Sequence, residues 1–334
     1  MKTLVTGASG FIGQSLTRRL LQQGDELRLF CRSSSDMSTF GHSHAEIVRG
    51  ELTSEADLTR ALIGCDRVYH LAAFAGNWSS QPDRLRAENR AALQALCTAA
   101  RKASIRRLLY TSTVMVYGPS NGHAVSEQTP RATPPATLYE QLKVDALDVV
   151  DEAVAQGLDA VVIHPTRVFG PGPLTEANST TILIDQYRRG TWRMLPGEGH
   201  AAGNYVYVED VVEGMIRAME RGATGRHYII GGCNLTFNEF FALLAECSGQ
   251  QRLLVHVPKS VATAAAVLQE RMGRRGWMTP VITPAWVDVF YDNWLCTSRR
   301  AAEELGYQPT PMRAALRSTL AWLRTDRREG GAAS

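Results

Sequence analysis

The chain has no apolar run long enough to cross a bilayer. The longest, from Val261 to Gln269, falls well short of the ~20 residues a spanning helix needs, and reads as a core helix or a lid. Lys2 leads at once into a strand and a glycine turn, without the apolar stretch of a signal peptide, so a cytoplasmic protein is expected. Cysteine is sparse: Cys31, Cys65, Cys97, Cys233, Cys247 and Cys296 are widely spaced with no C-x-x-C, which points to free thiols and against zinc. His42 and His44 sit together in a Ser-rich loop and read as surface residues, and no metal site is expected. An excess of charge is missing too. The net charge is +3, with the arginines scattered over helix faces, which argues against a nucleic-acid partner. What is present, 334 residues with 44% apolar and 21% charged, suits a globular enzyme with one large domain and a smaller lobe.

The first half alternates short β-branched runs with amphipathic segments. Strands are expected at Thr3 to Thr6, Leu27 to Cys31, Glu46 to Val48, Arg67 to His70, Arg107 to Thr111 and Ala160 to His164, with helices at Ile12 to Gln23 and Asn89 to Lys102. Strands separated by helices predict an α/β fold, a Rossmann-type doubly wound parallel sheet. A dinucleotide-binding domain is placed at 1–168. After the Pro/Gly-rich "PTRVFGPGP" a smaller substrate-binding lobe is placed at 169–325, with strands at Tyr205 to Val208 and His227 to Ile230, some returning to the main domain. Residues 326–334 are polar and Gly-rich and read as a flexible tail.

"LVTGASGFIG" sets Gly7, Gly10 and Gly13 between the first strand and first helix. Gly7 permits the tight turn, Gly10 lets backbone approach a pyrophosphate, and Gly13 lets the helix pack on the sheet. Ser9, Phe11 and Ile12 fill out that cofactor turn. The second strand ends in Cys31 and Arg32, then Ser33 and Ser34, where an NAD enzyme carries a carboxylate for the ribose. A guanidinium and hydroxyls suit a 2′-phosphate, so NADP(H) is expected over NAD(H). "LYEQLK" puts Tyr139 and Lys143 on one helix face, where an ammonium would lower the phenol's pKa for acid–base work beside a nicotinamide.

These elements, with "HLAA" at His70 to Ala73, "ENRAALQAL" around Asn89, "TSTVMVYG", "HPTRVFGPG" and "YVYVEDVVEG", resemble the extended branch of the short-chain dehydrogenase/reductases over nearly the whole chain. The resemblance implies a catalytic Thr113 (Ser112 the fallback), Tyr139 and Lys143, with Asn89 near the site. It places Leu71, Ala72, Ala73, Thr111 and Pro165 along the cofactor, with Glu51 and Leu52 at the adenine end. Members that dehydrate nucleotide sugars resemble this pattern but carry Asp-Glu after the hydroxyl residue. Val114 and Met115 stand there instead and cannot move a proton.

Nucleotide-sugar epimerases of this branch usually show Arg-Asp before the "YVYVED" strand; this chain has Gly203 and Asn204. Arg167 or Arg193 would have to substitute for that cation. Phe74, Trp78, Thr113, Met115 and Arg167 are the expected substrate-pocket residues, with Trp277 and Met278 added from the C-terminal lobe. Within the branch the nearest resemblances are to dihydroflavonol reductases, 3β-hydroxysteroid dehydrogenases and hopanoid-associated sugar epimerases. The reading is an NADP(H)-dependent oxidoreductase interconverting a secondary alcohol and a ketone or aldehyde of a partly apolar small molecule. A nucleotide-sugar epimerase is the alternative, and an NADPH-sensing regulator a third. A homodimer through the helices near Asn89 and Tyr139 is implied by the resemblance.

Overall fold

The computed structural model describes residues 1–73 and 78–330; Phe74 lies outside them. Six strands and the helices between them build the first half: β1 (Lys2–Thr6), α1 (Phe11–Gln22), β2 (Glu26–Cys31), β3 (Glu46–Arg49), α2 (Glu55–Leu62), β4 (Arg67–His70), α3 (Pro82–Lys102), β5 (Arg107–Thr111), α4 (Leu138–Ala155) and β6 (Ala160–Pro165). The second half holds β7 (Arg167–Phe169), α5 (Ser179–Arg189), β8 (Met194–Pro196), β9 (Ala202–Tyr207), α6 (Val208–Arg221), β10 (His227–Ile230), β11 (Cys233–Thr236), α7 (Phe237–Ser248), β12 (Val255–Val257), α8 (Lys259–Arg274), α9 (Pro284–Tyr291), α10 (Arg299–Leu305) and α11 (Met312–Gly330).

Seven strands form one parallel sheet in the order β10-β6-β5-β4-β1-β2-β3. The doubly wound parallel sheet read from the sequence is therefore present. Its strands are almost wholly buried because helices cover both faces, which is why they read as continuous apolar runs rather than alternating ones. Leu16 and Leu20 of α1 share one core with Val211, Met215 and Met219 of α6 and with Leu305 of α10. On the opposite face Leu93 and Leu96 of α3 share a second core with Val149 and Val150 of α4. The chain order reverses direction between β1 and β4, so a crevice opens at the carboxyl ends of those two strands.

A third core, with Phe169, Tyr205, Phe240 and Leu316, holds the remaining elements around the three-stranded sheet β11-β9-β7. β7 continues directly from β6 through Thr166, so the small sheet is carried at the carboxyl edge of the large one. Three expectations change here. The "Tyr205 to Val208" strand ends at Tyr207, and Val208 opens α6. α11 continues past residue 326, where the tail was placed. The Val261 to Gln269 segment is helical within α8, but only Ala266 of that stretch is buried, so it is not a core helix.

The close approach of α1 to β1 rests on Gly13. A Cβ there would lie 2.0 Å from the Gly7 carbonyl oxygen, a backbone atom that cannot yield without moving the turn. Gly13→Ala is expected to lower stability by about 1–3 kcal/mol, the usual range for overpacking. Thermal unfolding of the two proteins measures it, and an unchanged Tm would contradict the packing described.

Candidate active site

The crevice floor is the glycine turn. Gly7 has φ +76°, and a Cβ on it would meet the Ala72 nitrogen at 2.6 Å, so the turn lies directly against the end of β4. Gly10 caps α1 with no side-chain hydrogen bond, and no acidic residue stands in the first turn. The positive end of the helix is thus open to an anion. Ser9 and Ile12 are half-buried around the turn. Phe11 is buried under Gly172, whose own Cβ would lie 2.7 Å from the Phe11 ring. Thr6 locks the neighbouring strand end: its hydroxyl meets His70 Nδ1 at 2.7 Å and accepts from the Ala72 N–H at 3.3 Å. Burial pulls the His70 pKa down to about 3, so the ring is neutral at working pH. Leu71 and Ala72 are half-buried beside this turn and Ala73 is exposed.

At the end of β2, Arg32 and Ser33 are exposed. Arg49 Nη1 gathers their loop by donating to the carbonyls of Arg32 (3.0 Å), Ser33 (2.8 Å) and Ser35 (3.3 Å). Among the described residues Arg32 has no ion-pair partner. Glu51 is exposed with its N–H donated to Asp57 (3.0 Å), and Leu52 packs on the core beneath. The chain's own groups therefore fit a dinucleotide: an open helix N-terminus for the pyrophosphate and an unpaired guanidinium at the end of β2.

The reactive side chains gather where β5 meets α4. Thr137 and Glu140 cap α4 reciprocally, with Glu140 Oε2 accepting from the Thr137 N–H at 2.8 Å and the Glu140 N–H donating to Thr137 Oγ1 at 3.1 Å. Arg131 reinforces this. It donates to Glu140 Oε1 at 2.7 Å and to the Met115 carbonyl at 2.6 Å, joining the helix start to the 3₁₀ turn that follows Thr113. That turn is set by Thr113, whose hydroxyl accepts from the Met115 N–H at 3.3 Å. The Thr113 hydroxyl lies close enough to the Tyr139 phenol to influence its titration. One turn on, Lys143 is buried and donates to the Thr111 carbonyl at 2.8 Å and towards the Tyr110 hydroxyl at 3.5 Å. Thr111 Oγ1 and Ser112 Oγ are buried with no partner among the described residues. Pro165 ends β6 in the interior next to β5.

The structure brings Thr113, Tyr139, Lys143 and Thr111 together. Asn89 is not joined to them by any hydrogen bond among the described residues: its amide is spent on the Leu85 carbonyl of its own helix at 2.8 Å. The expected lowering of the phenol pKa is also corrected. Burial holds the Tyr139 hydroxyl above its ordinary value, and the nearby Thr113 hydroxyl only partly offsets this. Burial instead lowers Lys143, to about 8.

On the substrate side, Trp286 of α9 faces Tyr139 with ring centroids 6.5 Å apart, and its indole Nε1 is buried without a partner among the described residues. Sequence reasoning missed this residue and picked Trp277, which is exposed and stacks with Arg275 instead. Trp78, Met115 and Met278 are half-buried. Arg167 lies over the rings of Tyr205 and Phe237, at 5.6 and 5.4 Å, and packs so closely on Gly203 that a Cβ there would come within 2.6 Å of its guanidinium. Its donors reach only neutral oxygens, Tyr205 OH (3.3 Å) and the Val289 carbonyl (3.4 Å). Asn204 is committed to structure, accepting from Thr166 (2.9 Å) and the Gly232 N–H (2.8 Å) and donating to Asn234 (2.9 Å). Arg193 is exposed.

The sequence profile of the NAD dependent epimerase/dehydratase family matches residues 3–231, and the chain belongs to that family. It is 31% identical to sterol demethylase protein B of Methylococcus capsulatus, over 97% of this chain and 98% of that protein. A ketoreductase of Stigmatella aurantiaca, acting on 4-hydroxy-2-methyl-3-oxo-4-farnesyl-3,4-dihydroquinoline-1-oxide, is 30% identical over 82% of this chain and 81% of its own. A 3-beta-hydroxysteroid dehydrogenase of Mycolicibacterium neoaurum is 27% identical over 92% and 87%. The crystal structure of gox2253 superposes with a TM-score of 0.83 at 29% identity, covering 98% of each chain.

The buried ammonium makes a pH signature. The unfolded chain keeps the Lys143 proton up to about pH 10.5, whereas the folded chain releases it near 8. Between those values the unfolded state binds more protons, so this group's contribution to stability rises with pH across that window. Lys143→Met abolishes the rise. The stability of the variant relative to the native protein is therefore expected to be highest near pH 7 and to fall towards pH 10 in paired thermal melts; a difference that stays flat would contradict the burial of a titrating lysine.

Proposed function

We propose that the protein is an NADP(H)-dependent oxidoreductase that interconverts a secondary alcohol and a ketone or aldehyde on a partly apolar small molecule. The observation that carries this reading is the buried Lys143 on the Thr111 carbonyl, with Tyr139 one turn earlier on the same helix and near Thr113. When bound, the nicotinamide cofactor supplies or accepts the hydride. The chain's residues do the rest. Gly7, Gly10 and Gly13 admit the dinucleotide, and Arg32 with Ser33 meets the 2′-phosphate. Thr113 holds the reacting oxygen, and Tyr139 exchanges a proton with it. A phenol whose pKa is raised by burial keeps its proton at neutral pH, which suits it to donate in the reducing direction. Trp286 covers the site and offers its unpaired indole N–H to a substrate acceptor. The named relatives act on a steroid and a farnesyl-bearing quinoline oxide, which agrees with an apolar substrate and an aromatic cover.

Arg167 favours a second reading. A half-buried guanidinium with no carboxylate partner among the described residues suits an anionic substrate group, and so a nucleotide-sugar epimerase. Net NADPH consumption separates the two, because an epimerase returns its hydride. With a panel of ketones, aldehydes and nucleotide sugars, NADPH oxidation is expected on an apolar ketone or aldehyde, and product formation without net oxidation would select the epimerase.

Tyr139→Phe is expected to retain the fold and cofactor binding while lowering kcat by roughly 10²–10⁴, the usual worth of a positioned acid–base group. Undiminished turnover would reject the mechanism. Arg32→Ala is expected to weaken NADPH but not NADH, by about tenfold or more if a charge-assisted bond to phosphate is lost. Fluorescence titration with both cofactors measures it, and equal losses would reject the 2′-phosphate assignment.

A further inference from the structure

Most helices of the chain turn their apolar side inward, and α8 does not. Among its exposed positions, Val261, Ala264, Ala265, Leu268 and Arg271 fall on one face, which Arg275 just past the helix end continues. Ala266 and Gly273 are buried, and Ala262, Thr263, Val267, Gln269, Glu270 and Met272 are half-buried. The two large aliphatic side chains of the outward face are left open, with Val261 57% and Leu268 60% exposed. The segments on either side of α8 in sequence carry more exposed apolar side chains. Leu253 and Val255 lead into α8 and are exposed, and Trp277 (68%) and Val281 (76%) follow it. Six of the ten large apolar side chains exposed among the described residues fall between residues 253 and 281. A soluble fold does not normally concentrate them so.

The unpaired charge of this segment is positive. Arg271 and Arg275 have no carboxylate partner among the described residues, while Glu270 is committed to Arg274 at 2.7 Å. Arg275 lies 5.3 Å over the ring of Trp277. Apolar side chains flanked by arginines and an exposed tryptophan form the pattern of a helix that lies in a lipid interface, with rings and aliphatic groups among the acyl chains and guanidinium groups at the phosphates.

We propose that the outward face of α8, with Trp277 and Val281, docks peripherally on an anionic lipid bilayer. No helix among the described residues is long and apolar enough to cross a membrane, so the contact is one of surface insertion. The docking does not depend on the reaction proposed above. It does place α9, which packs on α8 and carries Trp286, next to the lipid.

Co-sedimentation of the full chain with phosphatidylcholine vesicles, with and without roughly one part in three phosphatidylglycerol, tests this. Binding is expected on the anionic vesicles only and should weaken on raising salt from about 0.1 M to 1 M. Leu268→Glu is expected to reduce it at least about tenfold, the worth of one buried leucine, with Tm and NADPH binding unchanged because the residue is exposed. The double variant Arg271→Glu, Arg275→Glu keeps the apolar stripe and should remove the preference for anionic lipid. No binding to either vesicle, or equal binding by native and Leu268→Glu proteins, overturns the proposal. A lipid-free, concentration-dependent dimer that Leu268→Glu dissolves would assign the stripe to a second copy of the chain and overturn it equally.

Discussion

One buried cation organises the site. Lys143 lies in the interior with its ammonium on the Thr111 carbonyl, at the very end of β5. An ammonium with no carboxylate beside it is costly to bury, and burial lowers its pKa towards neutrality. The arrangement persists because α4 and β5 are tied together elsewhere. The capping box of Thr137 and Glu140 fixes where α4 starts, and Arg131 bridges that start to the turn after Thr113. With the helix start held in this way, Tyr139 is kept near Thr113. The stability of the scaffold is spent on holding three polar groups in a place where they would not otherwise stay.

The sheet topology supplies the rest of the geometry. Because the winding reverses between β1 and β4, the ends of β1, β4, β5 and β6 open on one crevice. The glycine turn, Ala72 and the Thr113 turn all lie at those ends. β7 then leaves β6 within two residues, which carries the small sheet and Arg167 over the same opening. Gly203 and Asn204 acquire meaning in that sheet: the glycine makes room for the Arg167 guanidinium, and the asparagine ties three segments together.

Most of this frame could be read in the residues. The seven-stranded sheet, the glycine turn and the four-residue spacing of Tyr139 and Lys143 are local patterns, and local patterns survive folding. The parts that could not be read depend on burial or on distance in sequence. The phenol pKa was misjudged because charge proximity was weighed without desolvation, and in the interior desolvation prevails. Trp277 was chosen over Trp286 because composition shows that tryptophans are present but not which way a helix turns them. Thr283 to Pro284 starts α9 in the register that turns Trp286 inward over Tyr139. Arg131 gave no signal at all, since its partners are Glu140 nine residues on and a backbone carbonyl. The Val261 to Gln269 segment was read as a core helix or a lid from its apolar run, whereas only Ala266 of it is buried.

The histidines beneath Thr113 show how far this control of polar groups reaches. His164 is fully buried, its pKa is pulled down to about 3, and it therefore carries a single proton. Its Nδ1 lies 3.1 Å from the Thr113 carbonyl, which can only accept, so the proton sits on Nδ1. Nε2 must then accept, and His227 Nδ1 at 3.1 Å is the donor it meets. His227 is turned in this sense with its Nε2 towards Asp151, at 3.3 Å on the surface. A run of polar contacts thus reaches from an exposed carboxylate to the backbone of Thr113, and the tautomer of His164 follows from its neighbours. Thr113 is held from below by a ring that cannot rotate without losing a bond, and from the side by its own turn.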